Sequence, residues 1–388
     1  METQQRRTWA EVDLNALSHN YHIIRAMIPG HCRFLGLCKA NGYGHGAVQV
    51  GIRLEELGCD MLAVACLEEG LELRRAGISC PILCLGYTAG EFAPLLLDYQ
   101  ITQMVEDLET GKALSAAAVR AGKRLNIHVK LDTGMTRLGF LWREETAARA
   151  VLDLAQLCKL PGLYPQGLFT HFADSSDRED YTMMQLTRFL EARERLNQEG
   201  ISFEIYHCAN SGAVLHYPCT HLDMVRPGLI LYGYYPDGHS GILTPGPLLP
   251  VMKLKSRVTA VHAVPVGTSV SYGCTEVLQR DSRIALLPIG YGDGYSRLFS
   301  RGMEVLLHGK RCPIVGTVCM DMCMIDVTDV PEVERGDVAL VYGEDCLVDE
   351  GAARAGTISY ELLCNVSPRV PRVYLGGKDK IHCQVPEC

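Results

Sequence analysis

A lysine stands at the head of a glycine-rich stretch early in the chain, in Phe34-Leu-Gly-Leu-Cys-Lys39-Ala-Asn-Gly-Tyr43-Gly-His-Gly46. An apolar run leads straight into it. A lysine amine at the end of a buried strand can form a Schiff base with a carbonyl cofactor, and the glycines let the backbone turn tightly beside a ligand. The spacing also approaches a dinucleotide fingerprint, but G-x-G-x-G is one residue short of G-x-G-x-x-G. A loop lysine before a turn is the plain alternative. A second group, Lys130, Asp132 and Arg137, lies in His128-Val-Lys-Leu-Asp-Thr-Gly-Met-Thr-Arg-Leu-Gly139. Lysine inside an apolar strand is costly unless it is paired or modified; otherwise the strand is a solvated edge. A third group is His207-Cys-Ala-Asn210-Ser211-Gly212 with Arg226-Pro-Gly228-Leu229. Asn210 and Ser211 read as the cap of a short helix starting at Gly212, whose free N–H groups suit an anion; a simple turn and cap would look the same. Cys80/Cys84 and Cys319/Cys323 have C-x3-C spacing, but neither has a matching Cys/His pair, so no metal is expected.

The elements that must position these groups alternate. Apolar runs at Phe34–Cys38, Met61–Cys66, Pro81–Leu85, Ile101–Val105, Leu125–Leu131, Gly167–His171, Phe203–His207 and Leu222–Val225 are separated by helix-period stretches such as Leu67–Ala76, Leu108–Ala121, Glu144–Leu157 and Asp180–Gln198. Such alternation predicts parallel strands with crossover helices. Eight units in about 240 residues match a (β/α)8 barrel of the TIM type, with a doubly wound open sheet as the alternative. In a barrel, catalytic groups lie at the C-terminal strand ends, and phosphate often sits on the loops after strands seven and eight; those are the loops of Asn210 and Gly228. Near Thr244-Pro-Gly-Pro247 the texture changes. Strand-like runs follow at Met252–Ala263, Ser269–Tyr272, Arg283–Ile289, Glu304–Leu307, Ile314–Val318, Met324–Val327 and Val338–Tyr342, with one helix-period run at Gly351–Asn365. The expected division is residues 1–245 as an α/β barrel and 246–388 as a second, mostly β domain.

The 388 residues suffice for two domains with a sizeable core. A net charge of -8 argues against a nucleic-acid partner, and Arg6 and Arg7 are too few for a basic tail. The 17 cysteines form no C-x-x-C pair, which fits small core residues in a reducing compartment rather than a disulfide framework. No run of about 18 apolar residues predicts a membrane span, and the start of the chain has no apolar signal region. A cytoplasmic enzyme is expected.

From about Trp9 to Tyr374, the chain closely resembles the alanine racemase family. The resemblance rests on nine segments in the family's order: LCKANGYGHG around Lys39, VKLDTGMTRLG, THFADSSD, HCANSG, DMVRPGLILYG, SYG at Ser271, IGYGDGY, GTVCMDM and SYELLCNVSPRVPR. It implies a pyridoxal 5′-phosphate (PLP) enzyme that interconverts L-alanine and D-alanine, supplies D-alanine for peptidoglycan, and works as a homodimer with shared active sites. Lys39 then resembles the lysine that binds PLP covalently and serves the D-face of the substrate. Tyr272 resembles the opposing base, given by the partner subunit. Tyr43, Ser211 and Tyr360 are similar to phosphate ligands, beside Asn210, Gly228 and Leu229. Arg226 resembles the arginine at the pyridine nitrogen and His171 the histidine that supports it. Arg137 is similar to the group near the cofactor's phenolic oxygen and the substrate carboxylate. Lys130 matches a lysine often carbamylated in the family. Met320 resembles a substrate-carboxylate contact through its backbone N–H, and Tyr291 and Arg297 resemble entrance residues. Removing a proton from one face of a planar carbanion and returning one to the other calls for two opposed bases. Lysine and tyrosine ordinarily titrate near 10, so such a pair must be tuned by its surroundings.

Two positions depart from the pattern. Thr317 stands where the family often has arginine or glutamine, and the acidic entrance residue is Asp174 or Asp177; both bear on substrate range rather than reaction type. The alternatives are a serine or broad-specificity racemase of the same fold, a barrel-type decarboxylase of basic amino acids, suggested by Cys319 and Asp321, and a non-catalytic PLP-binding protein, which would lack Tyr272 and the β domain.

Overall fold

Strands buried on both faces must be apolar throughout, and the first part of the chain supplies them. The computed structural model describes residues 6–236, 244–300, 302–343, 348–376 and 383–384. Up to the Pro/Gly cluster the strands are β1 (Thr8–Asp13), β2 (Arg33–Leu37), β3 (Met61–Val64), β4 (Ile82–Cys84), β5 (Ile101–Val105), β6 (Leu125–Asp132), β7 (Phe140–Leu141), β8 (Leu163–Phe169), β9 (Ile205–His207) and β10 (Met224–Val225). Every residue of β3, β4 and β5 is buried. Eight of the strands pair in the order β10-β2-β3-β4-β5-β6-β8-β9, all parallel. The seam between β9 and β10 is bridged: Asp223 N–H donates to Tyr206 O at 3.1 Å, Arg226 N–H donates to Ala209 O at 2.9 Å, and Tyr206 N–H donates to Asp223 Oδ2 at 2.8 Å. A last strand lying against the first removes both edges, which excludes the open doubly wound sheet.

The helices Leu67–Arg75, Leu108–Arg120, Ala147–Cys158 and Glu179–Gln198 lie where the periodicity predicts them. β8 differs. It begins four residues before the expected Gly167 and ends at Phe169, so His171 lies past the strand. Exposed Tyr164 and half-buried Pro165 and Gln166 hide its first half from an apolar-run reading.

The second unit carries β11 (Met252–Arg257), β12 (Ala260–Val264), β13 (Ser269–Val270), β14 (Glu276–Val277), β15 (Ser282–Leu287), β16 (Glu304–Leu307), β17 (Lys310–Val315), β18 (Cys323–Asp326), β19 (Val338–Tyr342), β20 (Arg372–Leu375) and β21 (Cys383–Gln384). The expected run Met252–Ala263 is therefore two strands. Ser269–Tyr272 shortens to two residues because Ser271 turns the chain with φ 66. Gly351–Asn365 resolves into helices Val348–Ala355 and Ser359–Cys364. A ten-stranded sheet has the order β12-β15-β18-β17-β16-β19-β11-β1-β20-β21.

In that sheet β1 sits between β11, antiparallel, and β20, parallel. The expected division put β1 with the barrel; the structure puts it in the second sheet. This unit takes its described residues from Met1–Leu17, Tyr43–Gly46 and Leu249–Cys388, and the barrel unit takes its own from Ser18–Gly42 and Ala47–Leu248. The physical reason is that a strand's N–H and C=O groups need partners on both sides, and nothing local in Thr8–Asp13 says which sheet will supply them. Among the described residues no helix is long and apolar enough to cross a membrane.

Candidate active site

Lys39 follows directly on β2, at its C-terminal end. The next residues wind the wrong way: Ala40, Asn41 and Gly42 all have left-handed backbone angles, at φ 51, 52 and 60. Ala and Asn held there store strain of the kind found at functional sites. Local bonds fix the turn. Ala40 N–H donates to Glu69 Oε1 at 2.6 Å, Gly42 N–H to Cys38 O at 2.8 Å, and Ala47 N–H to Asn41 Oδ1 at 2.9 Å.

Arg226 follows β10 and is buried, with 4% of its surface exposed. Its Nη2 donates to Thr170 O at 2.8 Å and Cys208 O at 3.0 Å and meets His171 Nδ1 at 3.3 Å; Nη1 meets His207 Nδ1 at 2.9 Å. Guanidinium only donates, so both imidazoles accept at Nδ1 and, when neutral, carry their proton on Nε2. His207 Nε2–H then donates to His128 Nδ1 at 2.9 Å. All of these acceptors are neutral, and no carboxylate among the described residues pairs with Arg226. Burial pushes its pKa down to about 10. Burial likewise holds His171 and His207 well below the ordinary histidine value, with the Arg226 charge adding to it, and pushes His128 down to about 4.

Lys130, on β6, is 5% exposed. Its Nζ and the Arg226 Cζ lie 5.7 Å and 5.5 Å from the Phe169 ring centroid, and that ring stacks on His207 at 4.7 Å. Burial first, then the charges of Arg137 and Arg226, push the Lys130 amine down to about 8. Lys39 lowers both Lys130 and His171, so Lys39, Lys130, Arg137, His171 and Arg226 converge at one end of the barrel. Asp132 accepts from the N–H groups of Arg137 at 2.9 Å and Gly134 at 3.0 Å and from Arg143 at 3.1 Å. Burial raises its carboxyl, but these donors outweigh it and hold the group low. Asp132 thus ties the loop of Arg137 to the strand end.

The two loops predicted to bind an anion are joined: Gly228 N–H donates to Ser211 Oγ at 2.9 Å. Asn210 is the N-cap, accepting from Ala213 N–H at 3.1 Å and Ser175 Oγ at 2.6 Å, and the helix starts at Ser211 rather than Gly212. Leu229 is buried beside Gly228. In the second unit the rings of Tyr43 and Tyr360 lie 5.9 Å apart, and burial pushes the Tyr360 phenol up to about 12, which keeps it a donor.

The remaining expected residues of the second unit share one set of loops. Thr317 Oγ1 donates to Tyr272 O at 3.0 Å and Ser271 Oγ to Thr317 O at 2.6 Å. Tyr291 N–H donates to Cys319 O at 3.1 Å, Gly292 N–H to Met320 O at 2.8 Å, and Val318 N–H to Ser300 Oγ, at the end of the turn that Arg297 opens, at 3.0 Å. Tyr272 and Met320 point outward, 73% and 54% exposed.

Residues 12–236 match the family profile "Alanine racemase, N-terminal domain" and residues 251–374 match "Alanine racemase, C-terminal domain". An alanine racemase of Desulforamulus reducens is 45% identical over 95% of this chain and 99% of its own, and one of Methanococcus maripaludis is 44% identical over 95% and 98%. The solved alanine racemase of Clostridium difficile superposes with TM-score 0.91 at 36% identity, covering 98% of both chains, and that of Bacillus anthracis, with bound L-Ala-P, with 0.89 at 33%, covering 98% of this chain and 97% of its own. The chain belongs to the alanine racemase family.

An alanine racemase is an isomerase that acts on an amino acid, and this chain carries both domains of one. The surroundings of Arg226 also include residues that sequence reasoning missed. His207 and Phe169 flank the Arg226 guanidinium and His128 stands behind His207, yet each reads as one more member of an apolar strand. The signal available is a histidine at a buried position in each of two largely apolar runs. Thr317, marked as a departure, has a role the sequence does not express: it holds the backbone of Tyr272. Asp174 Oδ1 accepts from Asp177 N–H at 3.1 Å, so the two candidate acidic residues stand together.

Proposed function

We propose that this alanine racemase binds PLP through Lys39 and interconverts L- and D-alanine by a two-base mechanism, as a homodimer in which each site takes Tyr272 and Met320 from the partner subunit. The observation that carries the proposal is the environment of Arg226. A buried guanidinium has five N–H donors, and its protein partners are all neutral acceptors. Its remaining donors suit an unprotonated ring nitrogen, which a cation at this position would keep unprotonated. The joined Ser211 and Gly228 loops, with Asn210 and Leu229, suit a phosphate, as do the phenols of Tyr43 and Tyr360.

When bound, PLP supplies a carbonyl that condenses with amines and an electron-withdrawing ring that acidifies the substrate α-carbon. The protein does the rest. Lys39 and Tyr272 of the partner subunit hold and return the α-proton on opposite faces. Arg137 and the backbone N–H of the partner subunit's Met320 orient the substrate carboxylate. His171 and His207, kept neutral, hold Arg226 in register. Lys130 becomes carbamylated, turning a buried cation into an anion for Arg137. Tyr291 and Arg297 line the entrance. The product, D-alanine, would feed peptidoglycan in the cytoplasm.

The test is to incubate the protein and PLP with L-alanine and L-serine separately and to resolve the products on a chiral column. Rapid D-alanine with little D-serine supports the reading. Comparable D-serine reassigns the chain to a broad-specificity racemase. Carbon dioxide from basic amino acids, with no enantiomer formed, replaces it by a decarboxylase.

A further inference from the structure

The helix Glu179–Gln198 buries Leu186, Phe189, Ala192 and Leu196 together with two polar residues, Thr182, whose hydroxyl donates to Asp174 O at 2.7 Å, and Gln185, which is fully buried. Leucine would fill that place without a polar penalty, so the amide needs partners. It has three. Nε2 donates to His171 O at 3.0 Å and to Thr133 Oγ1 at 3.2 Å, and Oε1 accepts from Ala173 N–H at 2.8 Å. The Ala173 N–H fixes which way the amide points, because the reverse orientation would set donor against donor. Thr133 Oγ1 in turn lies 2.8 Å from Thr170 Oγ1. Gly134 makes room for the arrangement, since a β-carbon there would come within 2.9 Å of Gln185 Cγ.

These bonds converge on two residues. Thr170 and His171 supply two of the three acceptors of Arg226 Nη2, at 2.8 Å and 3.3 Å. Gln185 grips that pair at His171 O, two residues beyond it at Ala173 N–H, and through the threonine hydroxyls. We propose that Gln185 is a positioning residue for racemisation: it holds the Thr170–His171 segment, and through it the orientation of the Arg226 guanidinium. Its catalytic consequence rests on the reading that Arg226 serves the cofactor ring.

Three variants separate positioning from packing. Gln185→Met keeps the length and loses every bond. Gln185→Glu keeps the shape and the Ala173 acceptor but loses both donors. Thr133→Val breaks only the hydroxyl relay. Each is prepared with 15N-labelled histidine, and the apoprotein's His171 Nδ1 resonance is recorded beside thermal melting and, with PLP and alanine, kcat and KM. The resonance is expected to shift in Gln185→Met and Gln185→Glu, which both lose the bond to His171 O, with less change in Thr133→Val, which keeps it. kcat is expected to fall about tenfold to a hundredfold with KM nearly constant, because misplacement acts on the chemical step. A lowered Tm with unchanged resonance and unchanged kcat would overturn the proposal and leave Gln185 a packing residue. If Gln185→Met does not fold, the other two decide. If the wild type does not racemise alanine, the function fails separately, and the apoprotein resonances still decide whether Gln185 positions this segment.

Discussion

A lysine in water holds its proton until about pH 10.4, but Lys130 is sunk in a barrel strand beside Arg137 and Arg226 and titrates near 8. At neutral pH roughly a tenth of it is then the free amine. That form can attack the carbon of CO2 and lose a proton to give a carbamate anion, which replaces a repelled cation by a charge its neighbours favour. A carbamate carbon signal is expected when the protein is equilibrated with 13C-labelled CO2, and is expected to be absent in Lys130→Ala. Arg226 makes a second case. Its cationic donors should leave the ring nitrogen unprotonated and so restrain side reactions. Arg226→Glu is expected to raise the ratio of pyruvate to D-alanine formed from L-alanine with PLP; an unchanged ratio would count against that role.

The β6·β8 pair contains an irregularity at the place the site needs one. The register shifts between Ile127 and His128. The extra residue is Gln166 on β8, where the pairing steps from Ile127–Pro165 to His128–Gly167, and at that step His128 meets His207. Gly167 on β8 makes the space: a β-carbon there would fall 2.5 Å from the His128 ring. Gly167→Ala therefore overpacks the barrel and is expected to cost roughly 1–3 kcal/mol, seen as a lower denaturation midpoint with an unchanged m-value. A variant as stable as the wild type would show that the ring can move aside.

The buried histidines also set how the whole molecule responds to acid. His128 titrates near 6.5 when unfolded and near 4 when folded. Between those values the unfolded chain binds a proton that the folded chain does not, so stability falls as pH drops from 6.5 towards 4. This one group accounts for about 3 kcal/mol, and His171 and His207 act in the same direction. Denaturation midpoints measured across that window should decline accordingly, and more gently in His128→Asn. Subunit sharing is tested at the same scale. Lys39→Ala and Tyr272→Phe should each be nearly inactive alone. Unfolded together and refolded, they should regain activity, because a hybrid with crossed sites has one site with both native groups. Sites built within one chain would give no recovery.

The period of the sequence sufficed for the alternation of buried strands and amphipathic helices, because parallel strands covered on both faces leave a continuous apolar run that survives without any partner being known. It also sufficed for Lys39 at a strand end and for the Asn210 and Gly228 loops, since capping and turn chemistry are local. The nine motifs carried the family, both domains and the reaction. Pairing across long separations was beyond it. That β10 closes on β2, and that β1 leaves the barrel for a sheet beside β11 and β20, depends on which backbone groups meet in space. The low pKa of Lys130, the neutral cage of Arg226 and the three bonds of Gln185 are likewise products of burial and convergence. A histidine or glutamine in an apolar run carries no mark of the group it will face, and only the folded barrel supplies that group.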